Sequence, residues 1–265
     1  MELINHHYLG KKLVYRKTGV GIPVILVHGF AEDGEIFRFQ TDFLKTRALI
    51  IVPDLPGSGS SEYNETMMTM DDYADCINAI LENEKITQCI MIGHSMGGYI
   101  TLAFTERYPE KVLRYGLFHS SAFPDDDEKK LTREKAIRFI NEHGSSKFLE
   151  QSVPNLFSDI TKEQKPSLVG EIISKYSNFA PEALVQYYEA MIRRPDRRNV
   201  LKSASKPVLL ILGQYDSAVP IDKGLVQAHI PEICYIHICK KSGHMGMLEE
   251  TEFCNHALEE FIADK

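Results

Sequence analysis

The stretch Cys89-Ile90-Met91-Ile92-Gly93-His94-Ser95-Met96-Gly97-Gly98-Tyr99-Ile100 constrains the fold more than any other part of the chain. Its first four residues form a short apolar run of the kind found in buried strands. Beyond Ser95 the pattern is helical, with Tyr99, Leu102, Ala103 and Tyr108 at helical spacing and Pro109 as a stop. A strand that turns this sharply into a helix needs small residues two before and two after the apex, or side chains collide where the helix packs on the strand. Gly93 and Gly97 meet that need, and Ser95 stands at the apex. Backbone strain there would hold the hydroxyl above the sheet edge, and the helix N-terminus behind it would offer free N–H groups to a developing anion.

Further apolar runs read as strands: Pro23–Val27, Ala48–Val52, Val112–Phe118, Pro207–Leu212 and Cys234–Ile238. Helical patterns alternate with them, which predicts an α/β fold with a mostly parallel central sheet of about eight strands and helices on both faces. Glu2–Tyr8 and Lys12–Arg16 flank Leu9-Gly10-Lys11 as an N-terminal hairpin. Met70, Tyr73, Ala74, Ile77, Ile80 and Leu81 mark a helix that Thr69 and Asp72 open as a capping box. Cys254, Ala257, Leu258, Phe261 and Ile262 mark the closing helix.

The alternation stops between about residues 120 and 206. A polar stretch, Pro124-Asp125-Asp126-Asp127-Glu128-Lys129-Lys130, leads into helical patterns at Arg133–His143, Lys162–Tyr176 and Pro181–Ile192. The expected organisation is a core of residues 1–120 and 206–265 carrying a helical cap, or lid, at residues 121–205. A cap there would cover the carboxyl edge of the strands, where ligands of such sheets bind.

Composition narrows the function. The chain has 265 residues, 43% of them hydrophobic, enough for one large core. Its formal net charge of −7 disfavours nucleic acid and anionic membrane as partners. The first residues lack an apolar core of signal-peptide length and no later run approaches a membrane span, so the expected location is cytoplasmic. Cys76, Cys89, Cys234, Cys239 and Cys254 form no C-x-x-C pair and read as reduced core residues, and no Cys/His cluster has zinc spacing.

A serine nucleophile needs a base and an orienting carboxylate. Among ten histidines, His244 follows the last strand in Lys241-Ser242-Gly243-His244-Met245-Gly246, ahead of the closing helix. Asp216 follows the preceding strand in Leu212-Gly213-Gln214-Tyr215-Asp216. The order Ser95, Asp216, His244 is the one this turn architecture uses, with all three at one sheet edge. Asp125 is a weaker rival for the acid. The oxyanion donors would be the backbone N–H groups of Met96 and of Phe30, which Gly29 exposes in a tight turn. His28 is expected to fix that loop, and His94 to be structural. His119, Phe123, Phe157 and Tyr187 are candidates for the substrate-binding wall. Arg193, Arg194, Arg197 and Arg198 are either a solvated helix end or a contact for an acidic substrate or carrier.

Together, Val27-His28-Gly29-Phe30, Asp54-Leu55-Pro56-Gly57-Ser58-Gly59-Ser60-Ser61, Gly93-His94-Ser95-Met96-Gly97-Gly98, Gly213-Gln214-Tyr215-Asp216 and Gly243-His244 resemble the α/β-hydrolase superfamily. The helical insertion and Ala190–Arg197 resemble its small carboxylesterase and enol-lactonase-like branch. The resemblance implies a Ser-His-Asp hydrolase of esters or related acyl compounds, with no metal or cofactor. Carbon–carbon bond hydrolysis or a lyase reaction on the same triad is the alternative within enzymes; a non-catalytic ligand receptor is the alternative outside them. Tyr99 stands where the menaquinone-pathway lyase of the superfamily would have an arginine.

Overall fold

The computed structural model describes residues 1–263. Its eight-stranded sheet is built from β1 (Glu2–Tyr8), β2 (Lys11–Thr18), β3 (Ile22–Val27), β4 (Ala48–Pro53), β5 (Cys89–His94), β6 (Val112–Phe118), β7 (Val208–Gly213) and β8 (Cys234–Cys239), in the order β1-β2-β4-β3-β5-β6-β7-β8. β1 and β2 pair antiparallel, as do β2 and β4, and every later pair is parallel. The sheet class expected from the alternating pattern is the one observed.

The hairpin turn is two residues long, because Leu9 and Gly10 both take left-handed backbone at φ 51° and 78° and let Tyr8 pair with Lys11. β2 runs past the expected Arg16 to Thr18, since its second edge also pairs with β4 from Tyr15 to Thr18. β7 is buried at every residue, as is β5, so both sheet faces are covered. Helices α1 (Arg38–Leu44), α2 (Met70–Asn83) and α3 (Met96–Arg107) follow β3, β4 and β5 in turn. α2 opens on the reciprocal Thr69–Asp72 capping box and packs on α3, while α1 packs on the closing helix.

Between β6 and β7 the described residues contain helices and no strand: α4 (Asp127–Ser152), α5 (Asp159–Gln164), α6 (Pro166–Tyr176), α7 (Pro181–Arg193) and α8 (Arg198–Lys202). Two of these differ from the sequence pattern. α4 begins inside the acidic stretch, because the Asp126 side chain accepts the Lys129 N–H as a cap, and it bends at Gly144, φ 82°. The expected Lys162–Tyr176 helix is two helices, since Pro166 keeps Lys165 out of helical backbone at φ −135°. α9 (Ile221–Val226) follows β7, and α10 (Gly246–Glu249) and α11 (Thr251–Ala263) follow β8. Among the described residues no helix is long and apolar enough to cross a membrane.

Candidate active site

Ser95 lies between β5 and α3 with φ 52° and ψ −117°, a backbone conformation that L-residues rarely adopt. The turn tolerates it because the flanking glycines have no side chain to place. A Cβ on Gly93 would stand 2.1 Å from the Gly97 carbonyl oxygen, and one on Gly97 would stand 2.1 Å from the Val27 carbonyl oxygen. The Ser95 N–H donates to Phe118 O at 2.9 Å, and its carbonyl accepts Ser120 Oγ at 2.7 Å, so β6 and the residues after it hold the turn.

The Asp216 carboxylate is buried and has four donors. Oδ1 accepts the N–H groups of Ala218 and Val219, each at 2.8 Å. Oδ2 faces Nδ1 of His244 at 2.8 Å and Nδ1 of His119 at 3.1 Å. Burial alone would raise its pKa, but the two histidines hold it well below the usual carboxylate range. Burial lowers the pKa of His244, against the pull of Asp216. The bond at Nδ1 leaves Nε2 of His244 as the ring nitrogen available to other groups.

His94 joins this pair to the serine turn. Its ring lies 4.9 Å from that of His244, centroid to centroid, and its Nε2 is 2.9 Å from His244 O. Its Nδ1 faces Glu32 Oε2 at 3.0 Å, and that oxygen also accepts the Gly29 N–H at 2.7 Å. Gly29 is close enough to the turn that a Cβ there would be 3.1 Å from Ser95 Cβ. The His28 ring fixes the other side of the loop: Nδ1 donates to Gly29 O, and Nε2 accepts the Leu55 N–H at 3.0 Å. Met96 opens α3, where first-turn N–H groups have no acceptor within the helix. The Phe30 N–H has no hydrogen-bond partner among the described residues.

Glu249, which no sequence motif marks, organises the loop of His244. Its Oε1 accepts the N–H groups of Gly243 and Met245, and its Oε2 accepts from Ser158 N and Thr161 Oγ1. Glu32 is equally unmarked. The only sign of either is a short-range acidic residue, three after Gly29 or five after His244, and such residues are common on solvated helix faces. The helical insertion touches both loops directly. The His244 N–H donates to Leu156 O at 2.7 Å, and Phe30 stacks on Tyr188 with ring centroids 4.2 Å apart.

The four wall candidates fall in different places. Tyr187 is buried, its ring against Phe30 and its hydroxyl donating to Pro56 O at 2.8 Å. Phe157 is buried beside the loop of His244, where its backbone approaches Gly243. Phe123 does not join that group; it lies under the Arg198 guanidinium in a surface cavity with Asp196, Asn199 and His229. His119 is 0% exposed, and its Nδ1 faces Asp216 Oδ2 at 3.1 Å.

The arginine cluster divides: Arg193, the last residue of α7, and Arg198 are exposed, as a solvated helix end would be, whereas Arg194 and Arg197 are buried. The Arg194 and Arg197 side chains are each only 5% exposed. Arg194 stacks over Tyr99 and pairs with Asp125, which Arg133 also holds; Arg197 bridges Asp71 and Glu106. Arg193 meets Glu189 and Arg198 meets Asp196. The physical reason for the burial of Arg194 and Arg197 is the seam between the insertion and the core, which they fill as the chain returns to β7. Asp125, the rival acid, is taken up by the same seam. Among the described residues, His119, Asp216 and His244 are close enough to share a metal ion, their ligating atoms lying within 4.8 Å of one another. Two hydrogen bonds to one carboxylate oxygen already account for that closeness.

A family model described as the alpha/beta hydrolase fold matches residues 22–131, the part of the chain that holds the Phe30 loop and the Ser95 turn. The chain is 26% identical over 245 residues to the hydrolase YugF of Bacillus subtilis (strain 168), covering 90% of this chain and 89% of that protein. The solved structure of a thermophilic esterase from Thermogutta terrifontis superposes with TM-score 0.92 at 26% identity, covering 99% of this chain and 98% of the esterase. An enol-lactonase from Burkholderia xenovorans LB400 superposes with TM-score 0.90 at 20% identity, covering 98% of this chain and all of that one, a likeness of fold alone.

Proposed function

The chain belongs to the α/β-hydrolase superfamily, and from that premise we propose that it is a serine hydrolase of a small carboxylic ester or related acyl compound. The observation that carries this reading is the strained Ser95 turn, tied through His94 to a histidine that rests on a buried carboxylate. The similarity to an esterase over nearly the whole chain supports it.

In this reading Ser95 Oγ attacks the acyl carbonyl and His244 Nε2 takes its proton. Asp216 keeps the other ring proton on Nδ1 and stabilises the imidazolium as it forms. The N–H groups of Phe30 and Met96 bind the oxyanion; elsewhere, loss of one such donor costs roughly 100- to 1000-fold in rate. His244 then returns the proton to the leaving alcohol, and water hydrolyses the acyl-enzyme by the same path. Residues 121–205 act as a lid, since Tyr188 packs on the Phe30 loop and Leu156 holds the His244 backbone.

The test is release of p-nitrophenol from short-chain p-nitrophenyl esters by wild type beside Ser95→Ala. Turnover that disappears in the variant supports the reading. Folded wild type that releases nothing, or a variant as active as wild type, overturns it.

A further inference from the structure

Two histidines, not one, bond to the carboxylate of Asp216, and both use the same oxygen. The second has a built place. His119 follows β6 with φ 50°, a left-handed backbone that non-glycine residues adopt uncommonly, and is fully buried. Its ring fills a slot walled by glycines. A Cβ on Gly246 would stand 2.4 Å from His119 Nε2, and one on Gly213 would stand 2.9 Å from His119 Cε1. No lysine or arginine among the described residues pairs with Asp216, so the two imidazoles are its neighbouring cations in waiting. His244 must be neutral to act as a base, and His119 meets the same oxygen through Nδ1 while its Nε2 is buried without a hydrogen-bond partner.

We propose that His119 is a positioning residue of the site: it shares Asp216 Oδ2 with His244, and so weakens the hold of that carboxylate on a proton at His244. The proposal rests on reading His244 as the general base. Electrostatics sets the sign. Each donor on Oδ2 draws on the same negative charge, and a positive His119, with its ring 5.8 Å from that of His244, repels a second positive charge there. Either effect keeps His244 neutral, and competent as a base, at lower pH.

The other groups facing the pair are few. His94 meets His244 from the end of β5, with Glu32 behind it, and Glu249 meets the His244 loop through backbone N–H groups. Cys239 Sγ, at the end of β8, lies with His119 Nε2 over Gly246, and it is 3.5 Å from Cys254 Sγ. Glu250 adds negative charge near both thiols. The direction for His119 itself agrees: burial would lower its pKa, but Asp216 and, after it, Cys239 overcome this and push it up to about 9.

His119→Asn separates charge from shape, because asparagine tolerates positive φ and can keep an N–H near Asp216. The acid limb of kcat/KM for p-nitrophenyl esters is expected to move up by about half to one pH unit in this variant. The ring nitrogen shifts of His244, followed by NMR with labelled histidine, are expected to titrate upward by the same amount. A limb and a His244 titration that both stay in place, with only a lowered melting temperature, would reduce His119 to filling and overturn the proposal. If the variant does not fold, wild type decides: a His119 Nδ1 that carries a proton at pH 8, read from its nitrogen shift, supports the proposal, and an unprotonated Nδ1 overturns it. Because the NMR titration needs no turnover, it separates failure of this inference from failure of the hydrolase reading.

Discussion

Glu32 and His94 are bonded to each other, Oε2 to Nδ1 at 3.0 Å, and the same Glu32 oxygen holds the N–H of Gly29 at 2.7 Å. One buried carboxylate therefore ties the loop of Phe30 to the residue before Ser95. Burial would raise its pKa, but His94 and the Gly29 N–H bring it below the usual value, which keeps it an acceptor. Glu32→Gln preserves volume but replaces one acceptor oxygen by a donor. The loop should lose one of its two ties and the Phe30 N–H its aim. The expected result is a fall in kcat of about 10- to 100-fold on p-nitrophenyl esters, with KM changed less than about threefold, since the loss falls mainly on the transition state. Steady-state kinetics decide it, and an unchanged kcat would mean that the loop needs no carboxylate.

The pH dependence of stability follows from His119. An unfolded imidazole titrates near 6.5, whereas in the folded chain Asp216 and Cys239, working against burial, push His119 up to about 9. Between these values the folded state binds the extra proton. This contribution is full below about pH 6.5 and is lost as pH rises toward about 9. Unfolding free energy from urea titration should fall across that window by on the order of 1–3 kcal/mol. In His119→Asn that part of the fall should be missing, and an identical slope in both proteins would show that His119 does not hold the proton.

The sequence made the sheet, the serine turn and the chain order of Ser95, Asp216 and His244 legible because each rests on local pattern: apolar runs, small residues at fixed offsets, and residues just past strand ends. What it left hidden depends on pairs far apart in the chain. His119 reads as a wall candidate because it follows a strand at the right edge, and its bond to Asp216 in a slot beside Gly213 and Gly246 has no local signal. Arg194 and Arg197 look like surface charge because they sit among arginines, yet their partners Asp125, Asp71 and Glu106 are 69, 126 and 91 residues away. Glu32 and Glu249 take their meaning from backbone N–H groups, which carry no sequence signal at all.

Arg197 gives a prediction that separates structure from substrate recognition. Its buried guanidinium joins Asp71 at the start of α2 to Glu106 near the end of α3. Both carboxylates are partly exposed, which weakens the pairing through solvent screening. Arg197→Met keeps the volume and should cost about 1–2 kcal/mol, read as a drop of about 2–8 °C in melting temperature. KM should be unchanged on both neutral and anionic esters. A rise in KM confined to anionic esters would return the cluster to substrate binding.

Two glycines in helices should respond to alanine with opposite signs. At Gly97, the first turn of α3 presses against β3, and a Cβ would meet Val27 O at 2.1 Å and His28 O at 2.6 Å. Both atoms are backbone, so nothing can rotate aside; α3 would have to leave the sheet and carry the Ser95 turn with it. Gly97→Ala should therefore cost at least about 3 kcal/mol and abolish turnover in whatever folded protein remains. At Gly170, on the exposed side of α6, an added Cβ meets nothing within 4 Å. Alanine there removes only unfolded-chain freedom and should stabilise by about 0.5–1 kcal/mol. Urea unfolding of the two variants beside wild type measures both signs. A Gly97→Ala protein of normal stability would mean that the turn can relax in a way this packing does not allow, and would remove the steric argument for the glycines that flank Ser95.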